Sequence, residues 1–306
     1  MTVDPQELLD RRKAFLQRLE AANKANQESK VIHLADKGLQ QAELAPIYPD
    51  ILYLRGSAQR RLGPAWGGAA LSSFREGLRL AKKQALKMRF LVALAHFYTL
   101  QCDWPALERE VLPTFLKLKE SPNKQVQHQV IWAFFYMGCC LDNHFRYQEA
   151  RIAYEEALQR VRAFKGGHSA LPFILHNLGG AFLYGGDPAG ALVWIEAAEP
   201  LQLDDGYRES RYAEYYLAIG DLSTAGEWIT RTLDHPNAKK DHGLQANGRY
   251  VWAQLRRRKG DLAGAREQAH IALELAYRAV DYPLIQQITT LLRDLEGPQP
   301  GSDPIS

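Results

Sequence analysis

The sequence predicts an all-α protein built from tandem helical hairpins, and three observations lead to this prediction. A short phrase that ends one helix and begins the next recurs at residues 185–192, 219–226 and 259–266, as GGDPAGAL, IGDLSTAG and KGDLAGAR. Small residues recur at fixed distances on both sides of that phrase. No segment shows the alternating pattern of a strand. Such repetition along a chain is typical of a solenoid.

The recurring phrase has a simple physical explanation. Its glycine accepts the left-handed conformation that ends a helix. The aspartate that follows can accept hydrogen bonds from the free N–H groups of the next helix and suits that helix's positive end. Pro188 follows Asp187, in the first turn of a helix where its missing N–H does least harm. Each phrase therefore predicts a tight turn between two antiparallel helices.

The spacing of small residues predicts where the two helices of a hairpin cross. Gly138 is followed 12 and 16 residues later by Ala150 and Tyr154, and the same distances separate Gly179 from Ala191 and Ile195. Close packing of two helices requires small side chains at the crossing and a large one between them. Related windows start at the small residues Gly56, Ala95, Ala213 and Ala253.

These windows divide the chain into four parts. Residues 1–47 are predicted to form an N-terminal helix pair over 4–22 and 27–45, ended by Pro46 and Pro49. Residues 48–277 are predicted to form six hairpins, and residues 278–296 a capping helix, because a solenoid buries its apolar face only on neighbouring repeats. The segment 297–306 has three prolines and no apolar run, which predicts a disordered tail.

Composition excludes several classes of protein. The chain has 306 residues, 46% of them hydrophobic, with a formal net charge of +3 and three cysteines. These values indicate a folded protein without a disulfide framework, and the start is too charged for a secretory signal. No apolar run reaches the ~20 residues of a membrane span. We therefore expect a cytoplasmic protein with no membrane partner.

The sequence does not predict an enzyme, a cofactor or a metal site. It lacks the phosphate-loop, nucleophile-elbow and zinc-protease motifs. Its nine histidines are scattered, and no cysteine pair has metal-ligand spacing. We expect no catalytic residues.

The windows resemble the tetratricopeptide repeat, whose signature is W-x₂-L-G-x₂-Y followed by A-x₃-F-x₂-A. The sequence has Leu175-x₂-Leu178-Gly179-x₂-Phe182 and then Ala191-x₃-Ile195-x₂-Ala198. Successive windows are 39, 43, 41, 34 and 40 residues apart, which is similar to the long repeats in sensor regions of bacterial regulators. The resemblance implies a right-handed superhelix, or α-solenoid, of antiparallel hairpins.

The resemblance also implies which residues bind a partner, since the first helices of such hairpins line the concave groove. Counting from each small residue and choosing mainly aromatic and arginine side chains, which often anchor interfaces, selects thirteen candidates. They are Tyr53, Arg60, Arg89, Trp132, Phe135, Phe173, His176, Asn177, Tyr207, Arg211, Tyr250, Gln254 and Arg257.

The first functional hypothesis is a non-enzymatic scaffold that binds a protein or peptide in this groove, with apolar anchors and some acidic character in the partner. The alternative is a sensor that changes its superhelical shape when it binds a peptide or ligand. A homodimer is compatible with the sequence.

A basic run between residues 237 and 260 leaves two explanations open. Seven lysines and arginines face one aspartate there. They can form a patch for an acidic partner or nucleic acid, or they can complement the negative end of a helix. Few aromatic residues accompany them, so nucleic acid is not the favoured partner.

Overall fold

The computed structural model describes residues 4–164, 167–201 and 206–296. The predicted disordered tail, 297–306, lies outside these residues. Within them the chain forms sixteen α-helices and three short 3₁₀ segments, and no strand occurs. The helices are α1 Pro5–Lys24, α2 Glu28–Leu39, α3 Tyr48–Arg61, α4 Gly67–Leu80, α5 Gln84–Leu100, α6 Trp104–Glu110, α7 Leu112–Leu118, α8 Lys124–Asn143, α9 Tyr147–Ala163, α10 Leu171–Tyr184, α11 Pro188–Ala198, α12 Tyr207–Ile219, α13 Leu222–Asp234, α14 His242–Arg258, α15 Leu262–Ala279 and α16 Tyr282–Glu296. The 3₁₀ segments are Ala42–Ile47, Pro64–Trp66 and Glu199–Leu201.

The chain divides into two compact units, Met1–Met137 and Gly138–Ser306, which we call the N-terminal and C-terminal units. In the N-terminal unit, α1, α2 and α3 share a core that includes Leu19, Val31 and Ile51. Helices α3 and α4 pair as an antiparallel hairpin, and a Cβ at Gly56 would lie 2.6 Å from the Phe74 ring. The glycine predicted at this crossing is therefore needed for the close approach.

The opening helix pair differs from its prediction at the second helix. Helix α2 ends at Leu39, not at residue 45, and a 3₁₀ segment that contains Pro46 follows it. Pro46 restricts the residue before it and removes one donor, which accounts for the irregular segment around it but not for the end of α2 at Leu39. Pro49 does not end a helix as predicted. It lies in the first turn of α3, where proline is tolerated.

The window that starts at Ala95 is interrupted in the structure. Its second half is split into α6 and α7, which meet at Val111. Pro113 lies in the first turn of α7 and has no N–H to continue the preceding helix. The buried side chains of Leu107, Val111 and Phe115 still supply the apolar face.

The C-terminal unit contains three uninterrupted hairpins, α10–α11, α12–α13 and α14–α15. The predicted crossings are confirmed: a Cβ at Gly138 would lie 2.5 Å from the Tyr154 ring, and one at Gly179 would lie 3.0 Å from Ile195 Cγ1. Helix α16 packs Leu284, Ile288 and other apolar residues onto the alanine-rich face of α15.

The turn phrase also has its predicted geometry. Gly186, Gly220 and Gly260 have φ of +85°, +86° and +81°. The aspartate after each glycine caps the next helix; Asp187 Oδ1, for example, accepts from the Gly190 amide at 2.9 Å. Asp221 and Asp261 accept equivalent bonds at 3.0 and 2.9 Å. The assignment of these elements to two caps and six hairpins stays a prediction.

Candidate functional site

A cavity of about 430 Å³ opens within the C-terminal unit and is lined by five of the candidate residues. Phe173, His176 and Asn177 reach it from α10, and Tyr207 and Arg211 reach it from α12. The lining is completed by Asp142, Asn143, Tyr147, Tyr184, Glu214, Gly243, Asn247, Asp281, Pro283, Leu284 and Gln287. The repeat positions chosen on two successive first helices therefore converge on one site.

A partly buried ion pair lies in the wall of this cavity. Arg211 Nη1 donates to Glu214 Oε2 at 2.5 Å, and the two side chains are only 12% and 6% exposed. Gly180 leaves space for this guanidinium, since a Cβ on it would lie 2.8 Å from Arg211 Nη1 and would force the arginine to shift. Glu214 Oε1 accepts a second hydrogen bond from Asn247 Nδ2 at 2.7 Å. Both charges are thus held in place from α10, α12 and α14.

His176 contributes no charge to the cavity at neutral pH. Arg211 Nη2 donates to its Nε2 at 3.2 Å. Burial, with the adjacent guanidinium of Arg211, lowers the pKa of His176 to about 3. The imidazole is therefore neutral, and its Nε2 acts as an acceptor.

Asp142 introduces a carboxyl group from the end of α8. Tyr154 donates to its Oδ2 over a long 3.4 Å, whereas its Oδ1 is buried without a hydrogen bond. Burial raises the pKa of Asp142 to about 7; Arg211 and Tyr154 oppose this rise and Glu214 adds to it. The ionised carboxylate of Asp142 therefore lacks a hydrogen-bond donor at Oδ1, and its burial is unfavourable.

The candidates on α14 lie outside this lining. Tyr250 and Gln254 line a smaller cavity of about 110 Å³, together with Tyr184 and Glu214. Arg257 pairs with Asp294 of α16 at 3.5 Å and lines neither cavity.

The remaining candidates belong to the N-terminal unit. The Arg89 guanidinium stacks 4.1 Å from the Tyr53 ring centroid and lies 4.0 Å from Asp50. Burial lowers the pKa of His96 to about 4, and the nearby charge of Arg60 adds to this effect. His96 in turn stacks on Tyr136 at 4.3 Å.

Trp132 and Phe135 form part of this same aromatic cluster on α8. Trp132 contacts both Phe135 and Tyr136, with ring centroids 5.7 and 5.9 Å apart. These aromatic residues therefore pack partly on one another, and their role in binding stays a prediction.

Sequence reasoning missed several lining residues for identifiable reasons. Counting from the small residues reaches Asp142, Glu214 and Asn247, but choosing mainly aromatic and arginine side chains left them out. The spacing of Arg211 and Glu214, three residues apart on one helix, was an available signal for an ion pair. Asp281 directly precedes α16 and Gln287 lies within it. Both are outside the repeat windows, so counting from the small residues does not reach them.

The basic run at 237–260 is largely taken up by contacts within the protein. Arg256 pairs with Asp261 at 2.7 Å, and Arg249 donates to Gln268 Oε1 at 2.7 Å. Arg258 donates to the carbonyl oxygen of Leu217. These contacts favour the structural explanation over a binding patch.

The described residues contain no group of three or more His, Cys, Asp or Glu side chains arranged to hold a metal ion. None of their helices combines the length and the apolarity needed to cross a bilayer.

The chain is similar to several solved structures over most of its length. A tetratricopeptide repeat protein from Parabacteroides merdae superposes with a TM-score of 0.64 at 14% identity, over 92% of this chain and 98% of the other. The apo form of RapI gives 0.62 at 17% identity, over 87% and 98%. A Rap protein complexed with competence and sporulation factor gives 0.56 at 13%, over 94% and 98%.

No protein-family model and no curated protein matches the chain. At identities this low, the structural similarity establishes the fold alone. The predicted fold class, an all-α array of tetratricopeptide-type antiparallel hairpins, is confirmed.

Proposed function

We propose that this protein is a non-enzymatic repeat scaffold that binds a peptide, or a short segment of a protein, in the cavity of the C-terminal unit. The observation that carries the proposal is the convergence of five candidate residues on one cavity of about 430 Å³. This volume lies within the range of roughly 300–1,000 Å³ that is usual for ligand sites.

The chemistry of the lining suits a peptide. Asn177 and Gln287 carry amide groups that both donate and accept hydrogen bonds, as a peptide backbone does. Phe173 and Tyr207 offer aromatic surface for apolar side chains, and Phe173 is 44% exposed. Because the helices hold these groups in place, binding costs little ordering of the scaffold.

Two residues that might suggest catalysis are poorly suited to it. Burial raises the pKa of Cys139 to about 12, so its thiol is protonated and a weak nucleophile. His176, with its lowered pKa and its bond from Arg211, is a weak base. These properties support binding over reaction.

A sensor is the second candidate function, and the Rap likeness motivates it. One of the similar structures is of a Rap protein complexed with competence and sporulation factor, and another is of an apo form. If this chain senses a peptide, its radius of gyration in small-angle scattering will change when a selected peptide binds. An unchanged radius favours the scaffold.

Selection from a library of random pentapeptides on the immobilised full chain tests the proposal. We expect wild type to retain specific peptides, and Phe173→Ala to weaken their binding by about tenfold, as removal of an aromatic anchor does. Tyr277→Ala is the matched control, since Tyr277 is 61% exposed and does not line the cavity.

Two outcomes would contradict the proposal. The first is that no peptide is retained above the bare support. The second is that Phe173→Ala and Tyr277→Ala bind every selected peptide as wild type does.

A further inference from the structure

We propose that the cavity of the C-terminal unit receives a basic nitrogen of its ligand, and that the carboxylate of Asp142 is its anchor. This inference deepens the proposed function and rests on it. The nitrogen is either a Lys or Arg side chain of the peptide or its N-terminal ammonium, which share the same hydrogen-bonding chemistry.

The state of the Asp142 carboxyl group is the first argument. Oδ1 is buried and has no hydrogen-bond partner, and Oδ2 has only the 3.4 Å bond from Tyr154. Buried polar atoms in proteins are usually satisfied, so an exception needs an explanation. A charged donor from a ligand supplies the missing partner, and rotation about the Cβ–Cγ bond can present either oxygen to it.

The neighbouring guanidinium does not supply that partner. Arg211 directs Nη1 to Glu214 Oε2 at 2.5 Å and Nη2 to His176 Nε2 at 3.2 Å. The Nε of Arg211 is buried without a hydrogen-bond partner. Thus none of the three guanidinium nitrogens bonds to Asp142.

The charge of the lining is the second argument. Among the lining residues, Asp142, Glu214 and Asp281 are acidic, and Arg211 is the single lysine or arginine. His176 is neutral because its pKa is lowered to about 3. Glu214 balances Arg211, so Asp142 and Asp281 have no cation among the lining residues. Burial raises the pKa of both, and a cationic group that enters favours their ionised forms, whereas an acidic group would not.

This charge preference is the reverse of the acidic partner predicted from the arginines. Glu214, Asp294 and Asp50 lie beside Arg211, Arg257 and Arg89, so these cations are already paired within the protein. An acidic partner stays a prediction, and the same experiment tests it.

The experiment compares two libraries on the immobilised full chain, random pentapeptides with a free N-terminus and the same peptides N-acetylated. Enrichment in both libraries of peptides that contain Lys or Arg assigns the nitrogen to a side chain. Enrichment only in the first library assigns it to the N-terminal ammonium. Either result supports the proposal.

Asp142→Asn supplies the decisive comparison, because asparagine keeps the shape and removes the charge. We expect this substitution to weaken the binding of the selected basic peptides by about tenfold or more. Glu149→Gln is the matched control: it removes a carboxylate that pairs with Arg146 at 2.6 Å and does not line the cavity. Circular dichroism and thermal unfolding establish that each variant is folded.

The failure of this inference is distinguishable from that of the proposed function. Acidic or neutral peptides that are retained equally from both libraries overturn the anchor and leave peptide binding intact. The same holds if the selected peptides bind Asp142→Asn as they bind wild type. Retention of no peptide by wild type overturns both.

Discussion

Asp142 combines burial with a charge that lacks a full set of partners. Its pKa rises to about 7 because burial disfavours the ionised carboxyl group, although Arg211 and Tyr154 act in the opposite direction. In the unfolded chain the same group has an ordinary pKa near 3.8. Between these two values the folded protein binds more protons than the unfolded chain, so its free energy of unfolding decreases as pH rises.

We expect Asp142→Asn to stabilise the empty protein at pH 8 by about 1–2 kcal/mol, because it removes the cost of an ionised buried carboxylate. The gain should fade as pH is lowered from 7 to 4, where the wild-type group is protonated. Urea unfolding of both proteins at several pH values measures this difference.

Glu149→Gln serves as the control for that titration. The hydrogen bond from Arg146 lowers the pKa of Glu149, so its charged form is favoured in the folded state. Its loss should bring no gain in stability at pH 8. A constant difference between Asp142→Asn and wild type across pH 4–8 would show that Asp142 has an ordinary pKa in the folded protein.

Pairs of helices depend on single small residues at their crossings. Gly138 and Tyr154 show this most directly, because the fully buried Tyr154 ring occupies the space beside the Gly138 Cα. Gly226 offers the contrast within the same unit, since a Cβ there would lie an ordinary 3.6 Å from Leu255 Cδ2.

Gly138→Ala should therefore lower the free energy of unfolding by about 1–3 kcal/mol, the usual cost of overpacking. Gly226→Ala should raise it by about 0.5–1 kcal/mol, because alanine favours the helix and meets no clash. Chemical denaturation of the two variants beside wild type measures both signs. Equal effects would mean that the two helices do not cross closely at Gly138.

At the scale of the whole molecule, stability in a repeat array comes from contacts between sequence neighbours. In the C-terminal unit, Ala213, Ile229 and Leu255 belong to one core cluster, and Ala265 and Ile288 to the next. Helix α16, the last described element, buries its apolar face on α15 and exposes polar residues such as Thr289.

Ile288→Ala should cost about 2–4 kcal/mol, because the side chain is fully buried. Its effect should be local, so the rate of hydrogen exchange should increase more in α15 and α16 than in α10 and α11. Thr289→Ala, an exposed change on the same helix, should leave exchange nearly unaltered. Uniform acceleration across the unit would contradict nearest-neighbour stability.

Local chemistry was sufficient to predict the fold class, the turns and the crossings. A glycine followed by an aspartate specifies a helix end and the cap of the next helix, and both act within a few residues, as at Gly186 and Asp187. The pairing of Gly138 with Tyr154 was readable because a constant loop length makes sequence distance report spatial distance. The predicted helix is split where Pro113 interrupts it, and the predicted helix over 27–45 ends early, at Leu39.

Only the tertiary structure brought Asp142, Glu214 and Asp281 to one cavity, since they come from separate helices and a turn far apart in sequence. It also decided which arginines have partners: Arg211 is paired with Glu214, three residues away, but Arg257 is paired with Asp294 of α16. Burial and charge pairing depend on what surrounds a side chain in space. For this reason the sequence alone determined the fold class of helical hairpins and their turns, and the tertiary structure determined the charge pairing and accessibility of the candidate residues.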